Sequence, residues 1–255
     1  MEERPGVVPE KLGSPINFKI VGIIAVIVIG FHILVNYLDD SDLLVAGFSM
    51  MIPLAVSIFG FITSRRYSGT IVYSKAYVML GIGFLLMFSA ELTYFIYEEI
   101  LDLDPYPSIA DVFFFMFYPM LILYLVINLK FFSPKISKRG IGLMIGMPLV
   151  ATTTYIFLTI EDHGSFDFYY GIIFITAASI TLGLALHTSK IFKGGLIGTA
   201  WLILVIGIII NVIGDVWYYY IEVIGEYTLT DPVNLCWYSA YLLILYALYK
   251  HKKAL

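Results

Sequence analysis

Apolar runs of 18 residues or more recur along this whole chain, and each is long enough to cross roughly 30 Å of hydrocarbon as a helix. Eight are counted, at about 18–38, 43–63, 76–98, 109–130, 140–160, 168–189, 197–221 and 232–250. Only helices and closed barrels satisfy every backbone group in lipid, and the alternating strands of about ten residues that make a barrel are not seen. The charge content agrees: 13% of the 255 residues are Asp, Glu, Lys or Arg, against about 25% in a soluble domain. The expected fold is all-α, a polytopic membrane protein of eight spans.

The basic residues orient these spans. All fifteen Lys and Arg fall in alternate segments. These are the N-terminus (Arg4, Lys11, Lys19), then Arg65, Arg66 and Lys75, then Lys130, Lys135, Lys138 and Arg139, then Lys190 and Lys193, and finally Lys250, Lys252 and Lys253. The connections near 39–42, 99–108, 161–167 and 222–231 contain none. Short loops rich in Lys and Arg stay in the cytoplasm, so both termini are expected inside, in the cell membrane, as an even number of spans requires. The net charge of −4 hides this polarity, because sixteen of the nineteen acids lie on or near the outer side.

The first apolar run lacks a small-residue cleavage site and reads as a retained span that serves as the insertion signal. Cys236 is the single cysteine, which excludes an intramolecular disulfide and a cysteine metal cluster. No connection exceeds about fourteen residues, so the work of this chain is expected in or at the face of the bilayer.

The sequence also repeats itself. Ala90–Glu99, "AELTYFIYEE", aligns with Gly214–Val223, "GDVWYYYIEV", at an offset of 124, pairing Glu91 with Asp215, Tyr94 with Tyr218 and Glu98 with Glu222. At an offset of 120, "SIADVFFFMFY" from Ser108 aligns with "TLTDPVNLCWY" from Thr228, pairing Ser108 with Thr228, Asp111 with Asp231, Phe117 with Trp237 and Tyr118 with Tyr238. The chain therefore reads as a tail (1–17), a four-helix repeat (18–130), a linker (131–139), a second repeat (140–250) and a tail (251–255). Parallel repeats are usually related by an axis along the membrane normal, with equivalent residues facing a shared interface.

Within "DPYPSIADVFFFMFYP", Ser108 and Asp111 form an S-x-x-D box ahead of an apolar run. The Ser hydroxyl suits the orphan N–H groups of a helix start, and the Asp sits near the positive end of its dipole. Thr228 and Asp231 repeat the box, so these four are expected to be structural caps. Pro105 and Pro107 stop the preceding helix.

Glu91 and Asp215 differ, because each follows a long apolar run and lies about six residues, roughly 9 Å, inside the outer boundary. An ionisable group at that depth is paired, protonated or turned to a water-filled cavity. Glu91, Tyr94 and Glu98 fall on one helix face, and Asp215, Tyr218 and Glu222 repeat that face. Two readings stand: an outward, cation-attracting ligand site made of these six residues, or a bond between halves in which Tyr hydroxyls hold each carboxyl.

Several chemistries find no support. No Lys lies within the seventh or eighth run to form a retinal Schiff base. His32 and His187 lie near opposite faces and cannot pair around a haem, and His163 sits in an acidic loop that reads as solvated. No nucleophile elbow, H-E-x-x-H pair or phosphate-binding Gly loop occurs. No cofactor is expected, metal ligands are not identified, and nothing points to nucleic acid.

The stretches 90–125 and 213–245 resemble the multi-span N-terminal input regions of prokaryotic GGDEF diguanylate cyclases and sensor histidine kinases, in which a Pro-Ser-x-Ala-Asp motif follows a helix bearing Gly-Asp. Pro107, Ser108, Ala110, Asp111, Tyr118 and Pro119 fit that pattern, as do Gly214 and Asp215; Ala90–Glu91 departs from it. The resemblance implies a sensor role, here expected without a cyclase or kinase domain. The leading expectation is a stand-alone sensor-like or accessory protein that meets another polypeptide in the membrane or at its cytoplasmic face, or a constitutive subunit of a larger complex. A cation or small-solute transporter and an intramembrane lipid-modifying enzyme are the rivals.

Overall fold

The computed structural model describes residues 16–38, 41–132, 136–189, 195–225 and 227–253. Lys135, Lys190, Lys193 and most of the N-terminal tail, all part of the charge argument, lie outside them. Eight long helices follow one another: α1 (Phe18–Tyr37), α2 (Asp42–Arg66), α3 (Ile71–Phe95), α4 (Ile109–Phe132), α5 (Lys138–Leu158), α6 (Phe166–Thr188), α7 (Gly195–Ile224) and α8 (Val233–Lys253). Among the described residues there is no strand. Short polar side chains start several helices: Asn17 Oδ1 accepts from the Lys19 amide, Ser137 Oγ from Gly140 and Ser165 Oγ from Phe168, each at 3.1 Å.

Seven of the helices, α1 to α7, are long and apolar enough to cross a membrane. The expected eighth run is a helix, but α8 does not qualify by hydropathy. Its composition explains this: Asn234, Trp237, Tyr238, Tyr241, Tyr246 and Tyr249 interrupt the aliphatic residues, and most of them face protein. α8 packs against α7, α2 and α1.

The helix pairings close on themselves. α2 packs on α3, α3 on α4, α4 on α6, α6 on α7, α7 on α8, and α8 returns to α2. α1 leans on α8 and α5 on α6, both outside this ring of six. Their outward residues, among them Val26, Ile29, Leu149, Val150 and Phe157, are exposed, as lipid-facing side chains are. Of the contacts between the halves, those of α2 with α8 and of α6 with α4 join positions that the sequence repeat makes equivalent. Close approach depends on missing side chains: a Cβ on Gly60 of α2 would lie 3.1 Å from the Cα of Gly81 on α3, and Ser57 donates across the same crossing to the Gly81 carbonyl at 2.8 Å.

One end of the bundle carries the connections that lack Lys and Arg; we call it the acidic end. The other, with Tyr67–Thr70 and the close of α8, is the basic end.

Candidate functional site

The ring interior is layered, and the layering comes from heptad spacing. Tyr77, Phe84 and Glu91 follow one another at seven-residue intervals on α3, so they share a face and stand about 10 Å apart along the axis. Trp201, Ile208 and Asp215 do the same on α7, and Trp237, Ile244 and His251 on α8. The middle layer is dry: Phe84, Leu121, Ile208 and Ile244 are fully buried, and Phe117 nearly so. Phe84 packs edge-on against Phe117 at 5.2 Å and against Tyr241 at 5.6 Å between ring centroids. Polar groups lie on both sides of this seal.

On the acidic side, Asp215 is held by the chain itself. Its Oδ1 accepts the Trp237 indole N–H at 2.8 Å and its Oδ2 accepts the Asn211 amide at 2.8 Å, and Tyr118 of the other half lies close to it. Gly214 makes room for this, since a Cβ there would come within 3.0 Å of Trp237 Nε1. Ala90 occupies the same position of the first repeat, which gives the departure from Gly-Asp a physical meaning: no indole approaches there.

Glu91 occupies the matching position with none of these partners. Met87 stands where Asp215 has Asn211; Phe117, which the sequence repeat pairs with Trp237, packs a layer away against Phe84; and Tyr238, the counterpart of Tyr118, pairs its hydroxyl with Ser49 at 3.2 Å. Among the described residues no hydrogen bond to the Glu91 carboxyl is found. Tyr94, Tyr227, Tyr238 and Tyr241 lie within reach of its charge. Tyr94 packs on Phe114 at 5.6 Å, and Tyr218 on Tyr227 at 5.2 Å and Trp237 at 5.7 Å.

The six residues of the expected ligand site therefore divide. Glu91, Tyr94, Asp215 and Tyr218 are partly buried at the acidic end, whereas Glu98 and Glu222 are exposed. Glu98 leaves the shared face because α3 widens into a π-helical turn at Ile96–Ile100, which rotates everything after Phe95. It lies instead near Glu99, Asp42 and Asp104. Glu222 turns to the α7–α8 connection and accepts the Tyr227 amide at 3.3 Å.

The four cap residues form two copies of one arrangement. The Ser108 amide donates to Asp111 Oδ2 and the Thr228 amide to Asp231 Oδ2, both at 2.7 Å. Ser108 Oγ accepts from the Ala110 amide at 3.1 Å. Asp111 does more than its counterpart: Oδ1 accepts the Tyr170 hydroxyl of α6 at 3.0 Å, tying α4 to the other half. Next to it, the Tyr106 hydroxyl donates to Asp167 at 2.5 Å.

Sequence reasoning overlooked His251, which read as part of a short basic tail. Its imidazole is fully buried at the basic end. Tyr77 of α3 meets Nε2 at 2.7 Å, and Tyr67, just past α2, meets Nδ1 at 3.4 Å. One ring nitrogen donates and the other accepts. Tyr124 packs on Tyr77 at 5.8 Å and extends the layer toward Trp201. His251 lies past the 232–250 run, and burial pushes it down to about 4, so it stays neutral. The overlooked signal was the heptad that sets His251 below Trp237 and Ile244.

Among the described residues no three His, Cys, Asp or Glu side chains gather as a metal site requires. No protein-family model, curated protein or solved structure matches this chain.

Proposed function

We propose that this protein is an eight-span module of the cell membrane with both termini in the cytoplasm, built from two fused four-helix repeats. It acts as a sensor-like or accessory protein: it takes a ligand at its outward, acidic end and reports to a second polypeptide at its basic, cytoplasmic end. α8 serves as the eighth span, sheltered by its neighbours. The alternation of Lys and Arg supports this orientation, and the resemblance to sensor input regions suggests the role.

One observation carries the reading. α3 and α8 each run through all three layers, so the helices that carry Glu91 and Trp237 also carry Tyr77 and His251. A shift of either helix at the acidic end moves the His251 layer at the other end, a two-state element of the kind that relays a signal between faces. The apolar packing of Phe84, Phe117, Leu121, Ile208 and Ile244 between the two polar layers favours such a relay over a conduit.

Native mass spectrometry on protein gently extracted from its own membranes tests the proposal. A stoichiometric partner chain is expected, lost when Arg65, Arg66 and Lys75 are replaced by Gln. A chain that arrives without any partner sinks the reporting role.

A further inference from the structure

Glu91 and Asp215 are the same position in two settings, and only one setting is complete. Asp215 receives an indole N–H and an amide N–H. At Glu91 the thioether of Met87 stands in the place of the Asn211 amide and cannot donate, no indole hydrogen bond is found among the described residues, and Tyr238 has Ser49 as its partner. We propose that Glu91 binds a small organic cation carrying N–H donors, a primary ammonium or an amidinium on an apolar body; the proposal rests on the outward-facing reading above.

The chemistry of the surroundings selects this class. The connections at the acidic end contain no Lys or Arg, so the chain brings no counter-cation. A carboxylate at such depth is unfavourable alone, and an N–H cation supplies both the charge and the donors in one charge-assisted bond. Tyr94, Tyr227, Tyr238 and Tyr241 all lie within reach of the Glu91 charge, and phenol faces attract organic cations. Beside them, Phe31 stacks on Phe48 at 4.0 Å, with Tyr238 edge-on to both, an apolar wall for the body of the ligand. A divalent ion fits poorly, since Mg²⁺ and Ca²⁺ take six or more oxygens and one carboxylate among phenols does not provide them.

The test uses the full chain in mild detergent, with 2-phenylethylammonium and benzamidinium as probes and 2-phenylethanol as the neutral control. Binding is read by thermal shift and by quenching of tryptophan fluorescence. At least one cation is expected to bind saturably and raise the melting temperature, and the alcohol is not. Glu91→Gln should weaken binding about tenfold or more, the loss of one charge-assisted hydrogen bond. Met87→Asn gives Glu91 the amide donor that Asp215 has one turn back and should weaken binding similarly in a folded protein. Wild-type affinity in both variants, or an alcohol that binds as well as the cations, overturns the proposal. Failure of both cations to bind at millimolar concentration overturns it too, and leaves a proton as the occupant. None of these results touches the partner chain sought by mass spectrometry. Conversely, a missing partner beside a bound cation would sink the reporting role and keep the site.

Discussion

Trp237 of α8 donates its indole N–H to Asp215 of α7 at 2.8 Å, and the glycine beside that acid is what lets the ring come so close. The repeat places Ala90 and Met87 where the second half has Gly214 and Asn211, so one carboxyl is held by its own chain, and among the described residues the other has no hydrogen bond. Much of what distinguishes the two halves follows from this difference.

Gly214→Ala should push the indole off Asp215, and Trp237→Phe should remove the donor outright. Each is expected to lower stability by about 1–3 kcal/mol, the loss when a buried carboxyl gives up a partner. Thermal unfolding in detergent measures it. An unchanged midpoint for Trp237→Phe would mean that the bond holds nothing together.

Asp111 and Asp231 make the same 2.7 Å bond to the amide three residues earlier, but only Asp111 also takes the Tyr170 hydroxyl. Asp231→Ala should cost about 1 kcal/mol for a lost cap, and Asp111→Ala about 1 kcal/mol more. A double-mutant cycle of Asp111→Ala with Tyr170→Phe should show coupling of about 0.5–3 kcal/mol. Equal effects of the two Ala variants would contradict an inter-half role for Asp111.

His251 predicts a pH dependence of defined sign. Unfolded, its imidazole takes up a proton near its ordinary value of about 6.5; folded, it resists until about 4. The unfolded chain binds more protons between these values. The contribution of His251 is thus fully present above about pH 6.5 and lost as pH falls toward 4. His251→Phe should flatten that part of the stability profile, while Tyr77→Phe should lower stability by about 1–3 kcal/mol at neutral pH. A profile that keeps its slope without His251 would assign it to another group.

How far the sequence speaks depends on the scale of the signal. All eight helices were legible, because runs of twenty apolar residues leave few alternatives, and the cap motifs at Ser108 and Thr228 pointed to the hydrogen bonds found there. The eighth run is a helix as well, but its hydropathy falls short of what marks α1 to α7 as able to cross a membrane. The face drawn through Glu91, Tyr94 and Glu98 assumed an unbroken α-helix, and the π-helical turn at Ile96–Ile100 breaks that register without any local sequence mark. Pairing Glu91 with Asp215 was within reach of the repeat. Their different surroundings were not, because Asn211 and Trp237 come to Asp215 from one turn back and from another helix.

Labelling from outside the cell tests the central claim most directly. In a Cys236→Ser background, the thiol of Glu91→Cys should react with a membrane-impermeant maleimide on intact cells. A cysteine at Tyr124, below the dry layer, should stay protected until the membrane is dissolved. A Glu91→Cys thiol that reacts only after the membrane is dissolved would contradict an outward-open site.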